Sequence, residues 1–159
     1  MKFLAATFLS LVLCINVSGL HAQNTASNKD AAGIAQLQAE VLKFINQYRV
    51  SIGLKELQMI SEANLEALNH SVDMAKGDVP FGHDGFDQRV NNISKKIGLC
   101  MASAENVAMG MVDAEQVVKM WLNSPGHKRN IEGNYTLTGI GIARAANGYL
   151  YFTQIFLIK

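Results

Sequence analysis

Cysteine is scarce in this chain, with two among 159 residues, and their positions exclude a disulfide scaffold. Cys14 falls inside an apolar stretch near the start, and Cys100 stands alone in the remainder, so no intramolecular bridge is available to the folded part. Charge of one sign is also lacking. The formal net charge is +1 and no basic run exceeds Lys95-Lys96 or Lys128-Arg129, which removes the electrostatic footprint of a nucleic-acid binder. After the first residues no apolar run is long enough to span a bilayer. There is no His-Glu-x-x-His pair, no calcium loop and no cysteine cluster. Nor is there an internal repeat.

What is present begins with an export signature. Lys2 supplies a basic n-region and Phe3 to Val17 an apolar h-region, too short for a membrane span, so residues 1–22 are expected to be a secretory signal cleaved after Ala22. Cleavage after Gly19 is the alternative. The product would be periplasmic or extracellular, without an integral membrane segment. Residues 23–36 are small and polar and are expected to form a tail or linker. Residues 37–159 form one domain. Nearly half the chain is apolar, 49%, so a domain of this size can stand on its core alone.

Within that domain the periodicities alternate. Leu37, Val41, Phe44, Ile45 and Tyr48 fall on one helical stripe closed by Gly53. Ser61 reads as the N-cap of a second helix, with Ile60 and Leu65 placed for a hydrophobic staple and Gly77 at its end. Its apolar residues occupy two faces, Leu65, Leu68 and Val72 against Ala63, Ala67 and Met74 with His70, which predicts packing on both sides. Phe86, Val90, Ile93 and Ile97, ended by Gly98, predict a third helix. Leu99 to Ala108 reads as a buried strand carrying Glu105. Asp113 to Gln116 reads as a capping box opening a helix with Val117, Val118 and Trp121 inward.

The last quarter predicts a β-hairpin, Thr138 to Arg144 and Tyr149 to Ile158, with Asn147-Gly148 suited to a primed turn. In its second strand Tyr149, Tyr151, Ile155 and Leu157 alternate with Leu150, Phe152, Phe156 and Ile158, so both faces of the sheet must be covered. The fold class that follows is α+β, a mainly antiparallel central sheet between helical layers.

Chemistry concentrates in three short stretches. Pro125-Gly126 breaks a helix at Asn123 or Ser124 and presents His127 at the start of a new turn. His83 lies in a loop just ahead of the third helix, and Glu105 lies in the strand. Two imidazoles and a carboxylate suit a divalent metal such as zinc, with His83 and His127 as ligands alongside Glu105. The same groups suit acid-base work, in which Glu105 holds a histidine that activates water or the hydroxyl of Ser103 or Ser124. Each also has a structural alternative: a turn bond for His83, backbone N–H groups for Glu105, and a helix C-terminus for His127. His70, ringed by alanines and Met74, reads as a hydrogen-bonded packing residue, and Cys100 as a small core residue.

Taken in order, Asn46-Gln47-Tyr48-Arg49, Phe81-Gly82-His83, Ala104-Glu105-Asn106-Val107-Ala108, Trp121, Ser124-Pro125-Gly126-His127-Lys128-Arg129-Asn130-Ile131, Gly139-Ile140-Gly141 and Tyr151 to Phe156 resemble the CAP (SCP-like) superfamily of cysteine-rich secretory, antigen 5 and pathogenesis-related proteins. The resemblance covers about Leu37 to Lys159. It implies a three-layer α-β-α sandwich and a cleft built from His83, Glu105 and His127 that holds a divalent cation in several members. A fourth, acidic member of that cleft is replaced by Ser124, which weakens the case for a tightly bound zinc. Members of the family differ in function, and the lack here of a second carboxylate and of a convincing nucleophile favours a binding module for a small apolar or lipid-like ligand. The alternatives are a metal-assisted or His-Glu hydrolase and a cell-surface interaction protein.

Overall fold

The computed structural model describes residues 17–159, with side chains from Asp30 onward. The basic and apolar parts of the expected signal, up to Asn16, lie outside the described residues. Two compact units divide the chain, with the boundary between Ala32 and Gly33. Of the first unit, the described part is the beginning of helix α1, Val17–Ser51, which continues into the second. The segment expected to be a tail is therefore helical. Asp30, Ala31, Ala32, Gly33, Ala35 and Gln36 nevertheless leave their surfaces exposed. A stretch this polar leaves no amphipathic stripe to detect in the sequence.

The second unit contains the rest of α1, β1 (Gln58–Met59), α2 (Ser61–Lys76), α3 (Phe86–Ile97), β2 (Ala102–Gly110), α4 (Ala114–Asn123), α5 (Pro125–Ile131), β3 (Leu137–Arg144) and β4 (Leu150–Ile158). The strands form one mixed sheet in the order β1-β3-β4-β2, with β1 parallel to β3 and the remaining pairs antiparallel. This is the α+β sandwich expected from the two-sided last strand. Phe152 and Phe156 face a core with Val41, Ile45, Val117, Val118, Trp121 and Ile131, from α1, α4 and α5. Ile155 and Leu157 face a second core with Ala63, Ala67 and Ile93, from α2 and α3.

Close packing of α2 on the sheet explains Gly139-Ile140-Gly141. A Cβ on Gly139 would lie 2.1 Å from the carbonyl carbon of Ala63, and one on Gly141 would lie 2.1 Å from that of Ala67. Two glycines on the strand thus meet two alanines on the helix, and backbone approaches backbone. The helix buries this one face. Leu65 and Leu68 are exposed, at 46% and 40%, so the expectation of packing on both sides is corrected, and Leu65 is in no position to act as a buried staple. The N-cap also shifts by one residue: Ile60 is the extended residue before the helix, Ser61 is its first helical residue, and no side chain caps it.

The Asn46-Gln47-Tyr48-Arg49 stretch acts as a brace. Asn46 exchanges two hydrogen bonds with the backbone of Leu57. Arg49, 1% exposed, donates to the carbonyls of Lys55, Ile131, Gly133 and Tyr135. One buried guanidinium thereby satisfies the carbonyls that follow α5 and fixes where that helix ends. Burial lowers the Arg49 pKa from its ordinary value, but an arginine has far to fall before losing its charge.

Two further expectations resolve at the other end of the sheet. The capping box is formed: Asp113 accepts from the Gln116 N–H and the Gln116 side chain accepts from the Asp113 N–H. The hairpin turn is not primed. Gly148 donates to the Ala145 carbonyl and adopts φ of 87°, while no non-glycine residue has positive φ among the described residues. Asn147 therefore stays on the ordinary side, and Gly148 alone supplies the left-handed step.

Candidate functional site

β2 is the edge strand on which the site is assembled, and α4 and α5 are tied to it by side chains. Trp121 Nε1 donates to the Val107 carbonyl at 3.1 Å. Asn130 Nδ2 donates to the Glu105 carbonyl at 3.1 Å and to Asn106 Oδ1 at 2.8 Å. Asn106 Nδ2 in turn donates to the His127 carbonyl at 3.1 Å. These bonds occupy outward-facing carbonyls of the edge and hold the helical turn that carries His127. Pro125 occupies the first position of α5, where its missing N–H costs nothing.

His83 reaches the same place from the loop between α2 and α3. His70, 3% exposed, bonds through Nε2 to the Gly82 carbonyl at 2.8 Å and so anchors that loop from α2. The expected packing role of His70 is thus a specific one. His83 Nδ1 meets Glu105 Oε1 at 2.9 Å. Because an ionised carboxylate only accepts, the proton sits on Nδ1, and Nε2 is the nitrogen left for a ligand.

Glu105 has a partner that sequence reasoning missed. Arg89 on α3 grips it with both arms, Nε to Oε2 at 2.8 Å and Nη2 to Oε1 at 2.7 Å, and also donates from Nη1 to the Asp84 carbonyl at 2.7 Å. The pair is buried, with 9% of the Arg89 side chain and 2% of the Glu105 side chain exposed. The signal was available. Arg89 lies three residues after Phe86 and four before Ile93, on the inward stripe of an amphipathic helix, where a charge must have a partner.

The cleft has a volume of about 420 Å³ and is lined by Phe81, Gly82, His83, Val107, Ala108, Met109, Met120, Trp121, Ser124 and His127. Of the four residues expected there, His83, Ser124 and His127 line it. Glu105 does not, and stands behind His83. Burial lowers the pKa of His127, and the nearby His83 lowers it further, so His127 favours the neutral imidazole. The wall is otherwise apolar.

The donor set does not fit a resident zinc with Glu105 as a ligand. Both Glu105 oxygens are held by Arg89, which leaves the two imidazoles, fewer than the three or four protein ligands such an ion takes. Among the described residues no group of three or more His, Cys, Asp or Glu side chains is arranged to hold a metal ion. As a carboxylate behind an imidazole, Glu105 orients His83.

Comparison with known proteins places this geometry. The model of the cysteine-rich secretory protein family, CAP, matches residues 42–156. The uncharacterized protein YkwD of Bacillus subtilis is 32% identical over 86% of this chain and 58% of its own length, so this chain spans little more than half of that relative. Among solved structures, an extracellular protein containing an SCP domain from Bacillus anthracis superposes with a TM-score of 0.67 at 24% identity, covering 79% of this chain and 41% of that one. An outer surface protein from Borrelia burgdorferi superposes with a TM-score of 0.65 at 20% identity, covering 74% and 89%. The two structures share the fold.

Proposed function

This chain belongs to the cysteine-rich secretory protein (CAP) family, and from that premise we propose that it is an exported binding module whose cleft takes a small apolar or lipid-like ligand. The observation that carries the reading is the composition of the cleft wall. Phe81, Val107, Ala108, Met109, Met120 and Trp121 surround about 420 Å³, a volume within the range of small-ligand sites. Three polar side chains, His83, Ser124 and His127, interrupt it, enough to orient one polar end of an otherwise apolar molecule. Glu105, the carboxylate behind His83, is matched by Arg89, so a ligand meets no unpaired negative charge from it.

Export rests on the basic and apolar opening of the sequence, with removal of residues 1–22 and a domain at 37–159. The extracellular and outer-surface descriptions of the two structural neighbours support it. No helix among the described residues is long and apolar enough to cross a membrane.

The test is uptake of an apolar solvatochromic dye such as Nile red by the purified protein. Saturable binding is expected, weakened about tenfold by Met120→Lys, which places a charge on the cleft wall in exchange for roughly 1.4 kcal/mol of apolar contact. Met120 is 44% exposed, so this change leaves the fold intact. Absence of saturable uptake, or equal affinity in the variant, would refute the reading. A second reading, activation of water by His83, draws on its bond to Glu105. It requires ester turnover that Glu105→Gln abolishes.

A further inference from the structure

The loop joining α3 to β2 carries apolar residues facing the wrong way. Leu99 is 81% exposed and Met101 70%, the two largest exposures among the described large hydrophobic side chains. Cys100 between them turns inward against the core formed by Ile93, Ile155 and Leu157. Cys100 is half-buried there, and Leu99 and Met101 on either side of it both stay exposed. The segment is held in place: the Met101 N–H donates to the Ile158 carbonyl at 2.8 Å, and the ladder with β4 begins at the next residue. The loop is thus anchored while presenting two large apolar side chains to solvent within three residues.

Cations flank it on the Leu99 side, where Lys96 also lies within electrostatic reach of Glu62. Lys95 and Lys96 close the last turn of α3. Lys95 and Leu99 border one shallow groove of about 340 Å³, and the Lys159 side chain lies against Gly98, its Cε 3.7 Å from where a Cβ would stand. All three lysines are exposed. We propose that this tip, Leu99 and Met101 with Lys95 and Lys96 of the last turn of α3 and Lys159 on its Leu99 side, docks the protein on an anionic phospholipid surface. The two apolar side chains enter the interface while the ammonium groups stay at the level of the headgroups. Charge decides between this occupant and a second copy of the chain. A two-fold contact between copies would bring like lysines together, whereas an anionic bilayer complements them. The tip lies at the Ala102 end of β2, away from Met109 and the cleft, so the proposal does not depend on what the cleft binds.

The test is vesicle cosedimentation of the full chain, comparing phosphatidylcholine vesicles with and without phosphatidylglycerol. Wild type and variants share the same N-terminal segment, so differences between them belong to the tip. Leu99→Ser with Met101→Ser is expected to lower partitioning onto phosphatidylglycerol vesicles about tenfold. Lys95→Gln with Lys96→Gln keeps the apolar pair and is expected to cost about fivefold per charge, an effect that added salt erases. Met111→Ser, an equally exposed apolar site beyond the other end of β2, should change nothing. Equal partitioning of wild type and the Leu99/Met101 variant, or no preference for the anionic vesicles, overturns the proposal. Self-association of the wild type that the double variant abolishes also overturns it, in favour of a second copy.

Discussion

Replacing Arg89 by Met should destabilise this protein more than most single substitutions, because it removes one half of a buried ion pair and keeps the other. Glu105 would retain a single side-chain partner, His83, with its carboxylate 2% exposed. Breaking such a pair from one side costs about 3–5 kcal/mol, since the remaining charge is neither solvated nor matched. The hydrogen bond from Arg89 to the Asp84 carbonyl is lost as well, which loosens the loop carrying His83. For a domain of this size the loss corresponds to a fall in Tm of roughly 10–15 °C. The assay is urea unfolding followed by the fluorescence of Trp121, the chain's single tryptophan, which is 1% exposed in the folded state. A double-mutant cycle with Glu105→Gln sharpens it. The charge pair predicts that Glu105→Gln is costly alone and recovers stability in the Arg89→Met background, with a coupling of about 2 kcal/mol or more. A cost below about 1 kcal/mol for Arg89→Met, or additive effects in the cycle, would show that Glu105 is not held by Arg89 and would return it to the pool of candidate ligands.

Two further predictions concern packing and pH. Gly141→Ala should destabilise by about 3 kcal/mol without altering dye affinity in the fraction that folds, because its Cβ would lie 2.1 Å from the backbone of α2 and the helix must lift off the sheet; a cost below about 1 kcal/mol by urea unfolding would show the contact to be loose. His127 is expected to make stability pH-dependent: its folded pKa lies below the ordinary 6.5, so the unfolded chain binds the extra proton, and the contribution is full above about 6.5 and lost as pH falls toward the folded value. His127→Gln should flatten that part of a Tm-against-pH curve, and an unchanged slope would refute the assignment.

The sequence carried the architecture because burial leaves periodic traces. Alternation in Leu150 to Ile158 required cover on both faces of the sheet, and both cores are found there. Helical spacing located α3 and α4, and residue chemistry located the Asp113 capping box. Where the reading failed, a pattern had two physical causes. Leu65 and Leu68 are apolar, and apolar residues at helical spacing look like a packed face whether or not a layer lies over them. The turn at Asn147-Gly148 contains the right pair for a primed turn, yet Gly148 alone takes the left-handed conformation. Leu99 and Met101 read as the start of a buried strand, because a run of apolar residues does not reveal which members face out.

The motifs pose a different problem, since they mark importance without dividing labour. His83, Ser124 and His127 line the cleft, whereas Asn106 and Asn130 hold the turn that carries His127, and Asn46 and Arg49 brace the fold elsewhere, all by bonding main-chain carbonyls. A carbonyl belongs to every residue, so the acceptor leaves no trace in the sequence and only the donor is visible. Glu105 shows the consequence. Read beside two histidines it suggested a ligand for a cation; read with Arg89 it is the fixed, neutralised support of one histidine. The polar end of the cleft therefore consists of imidazole and hydroxyl without a free carboxylate. For the ligand proposed above, such an end offers hydrogen bonds and no fixed negative charge.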